Sequence, residues 1–378
     1  MKPVRILGQP SWRIESDRVE AFVTRAGGHL GPVTFQLPRR KVQPFPVAPW
    51  AEERLPPDTP QLLKSLRGDF FCLPFGANTR SCSGEAHPPH GETANAVWTL
   101  ERRRENARGA HLRLKLDPAV RKGHVTKEIS LVPGHTALYC RHTVSGMRGR
   151  MCFGHHAMLE FPPESGSGRI STSRMHFGQV CPGGFESPAE GGYTSLKPGA
   201  RFKNLARVPL RDGGTADLTR YPARPGFEDL VMCSHRAADD FAWSAVAFPK
   251  QRHAWFALKD PRILASTILW ISNGGRHYPP WNGRHRRVLG VEDATAHFAD
   301  GLAESARPNP VSQMGIPTSL RLREKSPLVV SYIMAVTPIP AGFDVVQSIR
   351  RTKDGVTLTS RSGKRALCPL DHAFLGTS

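Results

Sequence analysis

Hydrophobic and polar residues alternate along many short segments of this chain. Residues 110–117 place Leu112 and Leu114 on one side and Arg113 and Lys115 on the other. A period of two is the pattern of a β-strand with one buried face, because successive side chains of a strand point to opposite sides. This segment is therefore predicted to be a half-buried strand.

The next two segments predict a hairpin. Residues 125–132 and 136–144 have strand character and are separated by Pro133-Gly134, a turn signal. Near the start of the chain, Gly27-Gly28 lies between two further strand segments and predicts a second hairpin. The remaining predicted strands are 18–25, 31–37, 241–248, 253–258, 263–272, 287–292 and 328–336.

Helix signals are sparse by comparison. Short helices are predicted at 58–66 and 294–304 only, and neither is long enough to cover a sheet. Two segments rich in proline, glycine or serine, 38–60 and 162–198, are predicted to be long loops, where binding groups are often found. Strands occur on both sides of each loop. We therefore expect an all-β fold with few short helices, formed as a single domain over residues 1–378.

The composition agrees with this interpretation. The 378 residues include 35 glycines and 34 prolines, which suit strands joined by turns. Apolar residues make up 39% and charged residues 22%, so a packed core is expected. The formal net charge is +20, which first suggests a nucleic acid partner. However, the basic residues are scattered in short groups without a nucleic-acid-binding motif, so we predict no nucleic acid partner.

The seven cysteines are odd in number, and none forms a Cys-x-x-Cys motif. This usage predicts reduced thiols in a cytosolic protein. Residues 1–12 lack an apolar signal core, and no apolar run approaches the length of a membrane span. We therefore expect a cytoplasmic protein without a membrane partner. The sequence leaves the oligomeric state open.

Candidate chemistry is concentrated in three segments, 68–98, 153–161 and 270–295. Opening a sugar ring at its anomeric carbon requires one group that accepts the C1 hydroxyl proton and another that protonates the ring oxygen. A carboxylate and an imidazole can do this near neutral pH, while Arg and Asn bind hydroxyls and Trp offers a flat apolar face. The candidate residues of these segments are Asn78, Arg80, His90, His155, His156, Trp281, Arg284 and Glu292.

In their order, these segments resemble the aldose 1-epimerase (galactose mutarotase-like) family. The matching positions are Asn78 and Arg80 after Pro74-Phe75-Gly76, His90-Gly91 ahead of Trp98, His156 in mid-chain, and Glu292 within Gly290-Val291-Glu292. Asp293 stands where the family usually has proline after the glutamate.

The resemblance implies a β-supersandwich with an open sugar cleft and a small-molecule carbohydrate as partner. It assigns Glu292 as the base on the C1 hydroxyl and His156 as the acid toward the ring oxygen. His90 would steady the substrate, and Arg80 would bind a hydroxyl or an oxyanion. Asn78, His155, Trp281 and Arg284 complete the expected substrate-binding set. No cofactor and no metal are implied.

Other interpretations of the same residues remain open at this level. Strand alternation sends His155 and His156 to opposite faces, so only one of them is expected at the site. Glu292 lies in an apolar strand, where a carboxylate must be functional or paired with a nearby arginine. Histidines and carboxylates also suggest zinc, manganese or iron, although the spacing lacks a His-x-His start. The residues that suggest this metal are His87, His90, Glu92, His155, His156 and Glu160.

The expected activity is the interconversion of sugar anomers. The alternatives are a lyase or hydrolase that uses the same cleft on an unusual sugar, with or without a metal, and a sugar-binding or sensing protein without turnover. Arg276, Arg284, Arg286 and Arg287 lie close together in the sequence, and guanidinium groups bind carboxylate and phosphate in a bidentate manner. They predict a sugar that carries a negatively charged group.

Overall fold

The computed structural model describes residues 2–235, 237 and 240–376, most of which form strands or turns. The first strands are β1 (Val4–Ile6), β2 (Gln9–Glu15), β3 (Val19–Thr24), β4 (Leu30–Leu37), β5 (Arg40–Val42), β6 (Phe71–Cys72), β7 (Thr99–Asn106), β8 (Gly109–Leu116), β9 (His124–Leu131) and β10 (Ala137–Ser145). The middle strands are β11 (Gly149–Met151), β12 (Phe153–His155), β13 (Ala157–Glu160), β14 (Gly168–Thr172), β15 (Met175–Val180), β16 (Val208–Pro209), β17 (Thr215–Ala216), β18 (Arg220–Tyr221), β19 (Glu228–His235) and β20 (Ala242–Phe248). The last are β21 (His253–Lys259), β22 (Ser266–Ser272), β23 (Val288–Thr295), β24 (Leu320–Leu322), β25 (Leu328–Pro338), β26 (Val346–Thr352), β27 (Gly355–Ser360) and β28 (Arg365–Pro369).

Helices are short throughout the described residues. The α-helices are α1 (Gln61–Ser65) and α2 (Leu302–Ala306), and the 3-10 helices are Glu92–Ala94, Pro188–Glu190, Ser312–Met314 and His372–Leu375. The predicted all-β class is therefore confirmed. None of these helices is long and apolar enough to cross a membrane.

Two large antiparallel sheets carry the core. The first has nine strands in the order β18-β14-β20-β21-β25-β10-β9-β8-β7. The second has seven, in the order β15-β19-β22-β23-β12-β6, with β13 also paired to β23. A five-stranded sheet, β1 to β5 in chain order, adds Ile14, Val23 and Phe35 to the same hydrophobic core.

A third layer covers the other face of the nine-stranded sheet. The three-stranded sheet β26-β27-β28 packs Val356 and Leu358 into a second hydrophobic cluster with Phe256 and Ile333. Strand β21 is consequently buried at every position. This explains why its sequence is an almost continuous apolar run rather than an alternating one.

The predicted hairpins are confirmed. Strand β9 pairs with β10, and β3 pairs with β4, both antiparallel. In β8 the alternation also matches, since Leu112, Leu114 and Leu116 are buried. Local periodicity was sufficient here because each of these strands pairs with its neighbour in the chain.

Several predicted boundaries were wrong. The segment 162–198 contains β14 and β15, which pair with the distant strands β20 and β19. The segment 38–60 contains β5, and β23 continues to Thr295, so α2 begins only at Leu302. The first predicted helix is reduced to the five residues of α1. In segment 162–198, pairing with distant strands outweighs the local turn composition, whereas β5 pairs with its chain neighbour β4.

A buried ion pair joins the two large sheets. Lys259 Nζ of β21 lies 2.5 Å from Asp293 Oδ1 of β23, and both side chains are fully buried. Tyr332 of β25 donates to Asp293 Oδ2 at 2.7 Å, and Thr267 donates to Oδ1 at 2.6 Å. Burial alone would disfavour the carboxylate, but the Lys259 ammonium and these hydrogen bonds hold the pKa of Asp293 below its ordinary value. The network thus fixes β23 against the opposite sheet.

All seven cysteines are free thiols, and six of them are buried. Burial raises the pKa of the Cys140 thiol to about 12, so that it remains protonated and unreactive at neutral pH.

Replacing Lys259 with Met should destabilise the protein strongly, because Asp293 would then be a buried carboxylate without its cation. The expected loss in the free energy of unfolding is about 3–5 kcal/mol, measured by urea denaturation. Arg262→Met is the matched control, since Arg262 pairs with Asp260 while its side chain is 51% exposed, and it should cost about 1 kcal/mol or less. Equal losses in the two variants would contradict the role of the Lys259–Asp293 pair.

Candidate functional site

A cavity of about 510 Å³ lies over β22 and β23. Its wall includes Leu62 and Leu63 of α1, and Trp270 of β22 and Glu292 of β23 also face it. The apolar side chains of the wall suit the hydrophobic faces of a small ligand.

The register of β23 places a histidine beside this carboxylate. Gly154 pairs with Ala294 and Ala157 with Val291, so the same register puts His156 opposite Glu292. His156 Nε2 lies 3.2 Å from Glu292 Oε1, and both side chains are buried. Both residues line the cavity.

The residues next to this pair in the sequence, His155 and Asp293, point away from the cavity. His155 is fully buried, its Nδ1 lies 2.9 Å from Asp69 Oδ2, and its ring stacks on Tyr332. Asp293 likewise faces the space between the sheets. The predicted opposition of His155 and His156 is confirmed, and it is His156 that reaches the cavity.

His90 approaches from the other side of the cavity. Its ring centroid lies 5.0 Å from that of His156 in an edge-on arrangement. The Gly76 amide donates to His90 Nδ1 at 3.4 Å, and the Cys72 thiol lies 3.3 Å from the same nitrogen. Because Nδ1 accepts, the ring proton belongs on Nε2. Burial lowers the pKa of His90 to about 4, so the ring is neutral near pH 7.

Aromatic packing holds the His156 ring in place. Phe70 stacks on His156 at a centroid distance of 4.4 Å and on His29 at 4.3 Å. His29 is itself tied to the Ala94 carbonyl, with 3.0 Å between Nε2 and the oxygen. The imidazole therefore keeps one orientation relative to Glu292.

Burial moves the two pKa values of the pair in opposite directions. It raises the pKa of Glu292 well above its ordinary value, and Arg276 only partly opposes this. It lowers the pKa of His156 well below its ordinary value, and the nearby His90 adds to the effect. Both shifts favour the uncharged state of the pair, a protonated carboxyl group beside a neutral imidazole. One proton and one vacant acceptor are what concerted acid–base chemistry requires.

Arg276 forms a second polar centre in the cavity wall. Its guanidinium lies over the rings of Trp281 at 4.5 Å and Trp270 at 5.1 Å. Its Nε donates to Glu186 Oε1 at 2.6 Å, and Tyr278 donates to the other oxygen of Glu186. The charge of Arg276 is thus largely neutralised within the wall.

Further carboxylates surround the cavity. Asp300 and Glu304 line it, and Glu228 lies behind Trp270, whose indole N–H donates to Glu228 at 2.8 Å. Burial raises the pKa of Glu228 to about 7. The cavity therefore contains more acidic than basic groups.

Solved structures with this arrangement of sheets are numerous. A galactose mutarotase related enzyme from Lactobacillus acidophilus matches with a TM-score of 0.53 and 13% identity, covering 86% of this chain and 97% of that one. The GalM/aldose epimerase homologue from C. elegans matches with a TM-score of 0.55 and 11% identity, covering 88% and 100%. A galactose mutarotase-like protein from Clostridium acetobutylicum matches with a TM-score of 0.55 and 11% identity, covering 89% and 98%.

The chain has the galactose mutarotase-like fold. The resemblance inferred from the order of the sequence segments is confirmed at the level of fold. No protein-family model matches the sequence, and the comparison with curated proteins finds no match either. The fold alone therefore connects this chain to the mutarotases.

Within this mutarotase-like fold, four of the predicted site residues meet at the cavity: Glu292, His156, His90 and Trp281. Trp281 packs edge-on against Trp50 and Trp270 and is only 5% exposed. Trp270 also lines the cavity.

The other four lie elsewhere. His155 is in the core. Asn78 is held by hydrogen bonds within the protein: its Nδ2 donates to the Gly76 and Pro88 carbonyls, and its Oδ1 accepts from the Leu302 N–H. The Arg80 side chain is 63% exposed and pairs with Glu304 at 2.9 Å. Arg284 pairs with Glu53 at 2.5 Å and faces a different cavity. These positions do not contact the ligand space around Glu292.

Some cavity residues had little or no sequence signal. Asp300 and Glu304 follow β23 in a segment predicted to be helical, without a motif around them. The sequence indicated Arg276 only as one of a group of arginines. Its ring contacts come from Phe185, Trp270 and Trp281, and Phe185 is far from the other two in the sequence.

The histidines and acids that suggested a metal do not converge. In the described part of the chain, no group of three or more His, Cys, Asp or Glu side chains is arranged to hold a metal ion. His87 pairs with Glu85, and Glu92 accepts from the Ala119 and Val120 amides. These contacts give each of them a structural role.

His155→Asn should lower the free energy of unfolding by about 1–3 kcal/mol, because Asp69 would lose a buried hydrogen-bond partner. Urea denaturation measures the loss. Arg80→Gln, at an exposed ion pair, is the control and should cost about 1 kcal/mol or less. An unchanged midpoint for His155→Asn would contradict its assignment to the core.

Proposed function

We propose that this protein interconverts the anomers of a reducing sugar by acid–base ring opening in the cavity around Glu292. The observation that carries the proposal is the buried His156–Glu292 pair, 3.2 Å apart at the wall of a cavity of sugar size. The mutarotase-like fold supports the substrate class, since similar solved structures include a galactose mutarotase related enzyme and a GalM/aldose epimerase homologue.

The chemistry needs two proton transfers in each direction. In ring opening, Glu292 takes the proton of the C1 hydroxyl, the bond between C1 and the ring oxygen breaks, and a C1 carbonyl forms. His156 gives its proton to the departing ring oxygen. Rotation about the C1–C2 bond exposes the other carbonyl face, and closure reverses both transfers. Atoms and charge balance without a cofactor.

The single proton of the pair makes this cycle possible. Burial favours the neutral carboxyl group, so we assign this proton to Glu292 in the empty cavity. The 3.2 Å separation allows it to cross to His156 Nε2 as substrate hydroxyls solvate the carboxylate. This generates the base and the acid together, with no exchange with solvent. His90, neutral and carrying its proton on Nε2, is placed to donate to a sugar oxygen.

The rest of the cavity suits a polyhydroxylated ring. Trp270 and Trp281 offer apolar surface to the carbon face of a sugar, and Asp300, Glu304 and Arg276 offer hydrogen bonds to its hydroxyls. Because Arg276 is already neutralised by Glu186, this cavity favours a neutral ring. No observation favours a lyase or hydrolase, and a sugar sensor without turnover remains as the alternative that kinetics decides.

Glu292→Gln keeps the shape of the side chain but cannot accept a proton. It should lower kcat for anomer exchange by about a hundredfold or more with KM little changed, because the group acts in the transition state. His156→Asn should have a similar effect, and the double variant should lose less than the product of the two. Exchange is measured by polarimetry and NMR on a panel of reducing sugars.

Glu304→Gln is the matched control, since it makes the same chemical change at a residue of the same cavity that is assigned to hydroxyl binding and not to proton transfer. It should change kcat by less than about threefold. Full activity of Glu292→Gln would refute the site. Sugar binding by the parent protein without exchange, abolished by Glu292→Gln, would instead identify a sensor.

The proton shared by His156 and Glu292 should set the pH profile of the rate. Activity requires one proton on the pair, so it falls at low pH when His156 is also protonated and at high pH when Glu292 loses its proton. Burial lowers the pKa of His156 well below 6.5 and raises that of Glu292 well above 4.5. The acid limb of the kcat/KM profile should therefore lie below pH 6.5, and the basic limb should lie above pH 4.5. An acid limb centred near 6.5 would show that His156 titrates as an ordinary histidine.

A further inference from the structure

A second cavity, of about 630 Å³, lies on the other side of the segment that carries Arg276 and Trp281. Segment 273–288 contributes residues to both cavities. The walls of the second one are rich in proline, and its charged residues are Arg224, Arg284, Arg286, Arg287 and Glu160. Four guanidinium groups thus face a single carboxylate.

Three of these arginines keep donors available. Arg284 is bound to Glu53, but Arg224 and Arg286 form no ion pair with a carboxylate in the part of the chain described. Arg287 has only a long contact with Glu160, 3.9 Å from Nη2 to Oε1. The terminal guanidinium nitrogens of Arg224, Arg286 and Arg287 are therefore not held by a close carboxylate among the described residues, and they can bind an anion in the cavity.

The backbone holds these side chains in place. Arg224 and Arg287 have φ angles of 47° and 58°, in the left-handed region that residues other than glycine rarely adopt. Asn273 connects their two segments, since its Nδ2 donates to the Ala223 carbonyl at 2.9 Å and its Oδ1 accepts from the Arg287 amide at 3.1 Å. Strained residues that are over-determined by their surroundings are typical of ligand sites.

We propose that this second cavity binds a phosphate group, either free or as the monoester of a small molecule. Guanidinium groups are the preferred partners of phosphate because their paired N–H donors match its oxygens. A cavity of about 630 Å³ also has room for the molecule that carries the phosphate. The site is separate from the Glu292 cavity and does not depend on the sugar chemistry proposed above.

The test is calorimetric titration at constant ionic strength with inorganic phosphate, glucose 6-phosphate and glucose. Both phosphate compounds, or one of them, should bind to the parent protein, and the pattern identifies the source of the phosphate. Arg286→Gln, at an exposed side chain that should not affect folding, is expected to weaken binding about tenfold, and Arg287→Gln at least as much.

Arg108→Gln is the matched control, since Arg108 is an exposed arginine at the turn between β7 and β8. It should leave phosphate affinity unchanged, and so should Glu292→Gln. Absence of phosphate binding by the parent protein, or equal weakening in Arg108→Gln and Arg286→Gln, would overturn the proposal in favour of diffuse surface charge. Displacement of glucose 6-phosphate by excess glucose would overturn it by placing the phosphate compound in the other cavity. Anomer exchange of a neutral sugar by Arg286→Gln should stay at the parental rate.

Discussion

The buried pair of Lys259 and Asp293 is the contact on which the candidate site depends. It joins the nine-stranded sheet to β23 of the seven-stranded sheet, and Tyr332 reinforces it from a second strand. Two charges fully removed from water tolerate little displacement, because a misplaced partner leaves an uncompensated charge. Strand β23 is therefore held in one position and one register relative to the opposite sheet. Glu292, the residue before Asp293, is fixed together with the strand and faces the cavity.

The same strand alternation creates two environments from adjacent residues. Asp293 and His155 point between the sheets, where each has a hydrogen-bonded partner. Glu292 and His156 point into the cavity, where burial removes water without supplying a full set of partners. Desolvation then favours the uncharged form of both groups, and one proton is left for the two of them. The acid–base capacity of the site arises from burial and register together, and Phe70 preserves it by fixing the imidazole plane.

The positive charge of the chain is organised rather than evenly spread. In the Glu292 cavity, Arg276 is surrounded by aromatic rings and paired with Glu186, so it acts as a neutralised hydrogen-bond donor. On the other side of the same segment, Arg224, Arg286 and Arg287 have little carboxylate compensation. An arginine whose charge is neutralised by a carboxylate suits neutral hydroxyl groups. Arginines without such a partner suit an anion. A single segment of chain thus separates two kinds of ligand chemistry.

The sequence by itself determined the all-β class, the hairpins between consecutive strands and the opposite orientation of His155 and His156, because these follow from a period of two within a few residues. The order of its motifs also pointed to the mutarotase-like fold and to the histidine and glutamate that meet in the cavity. Only the tertiary structure decided where Arg80 and Arg284 go, since their partners, Glu304 and Glu53, are more than 200 residues away in the chain. It also decided that a glycine- and proline-rich segment would supply strands to both large sheets. Such outcomes depend on which distant surfaces meet, and local periodicity carries no information about that.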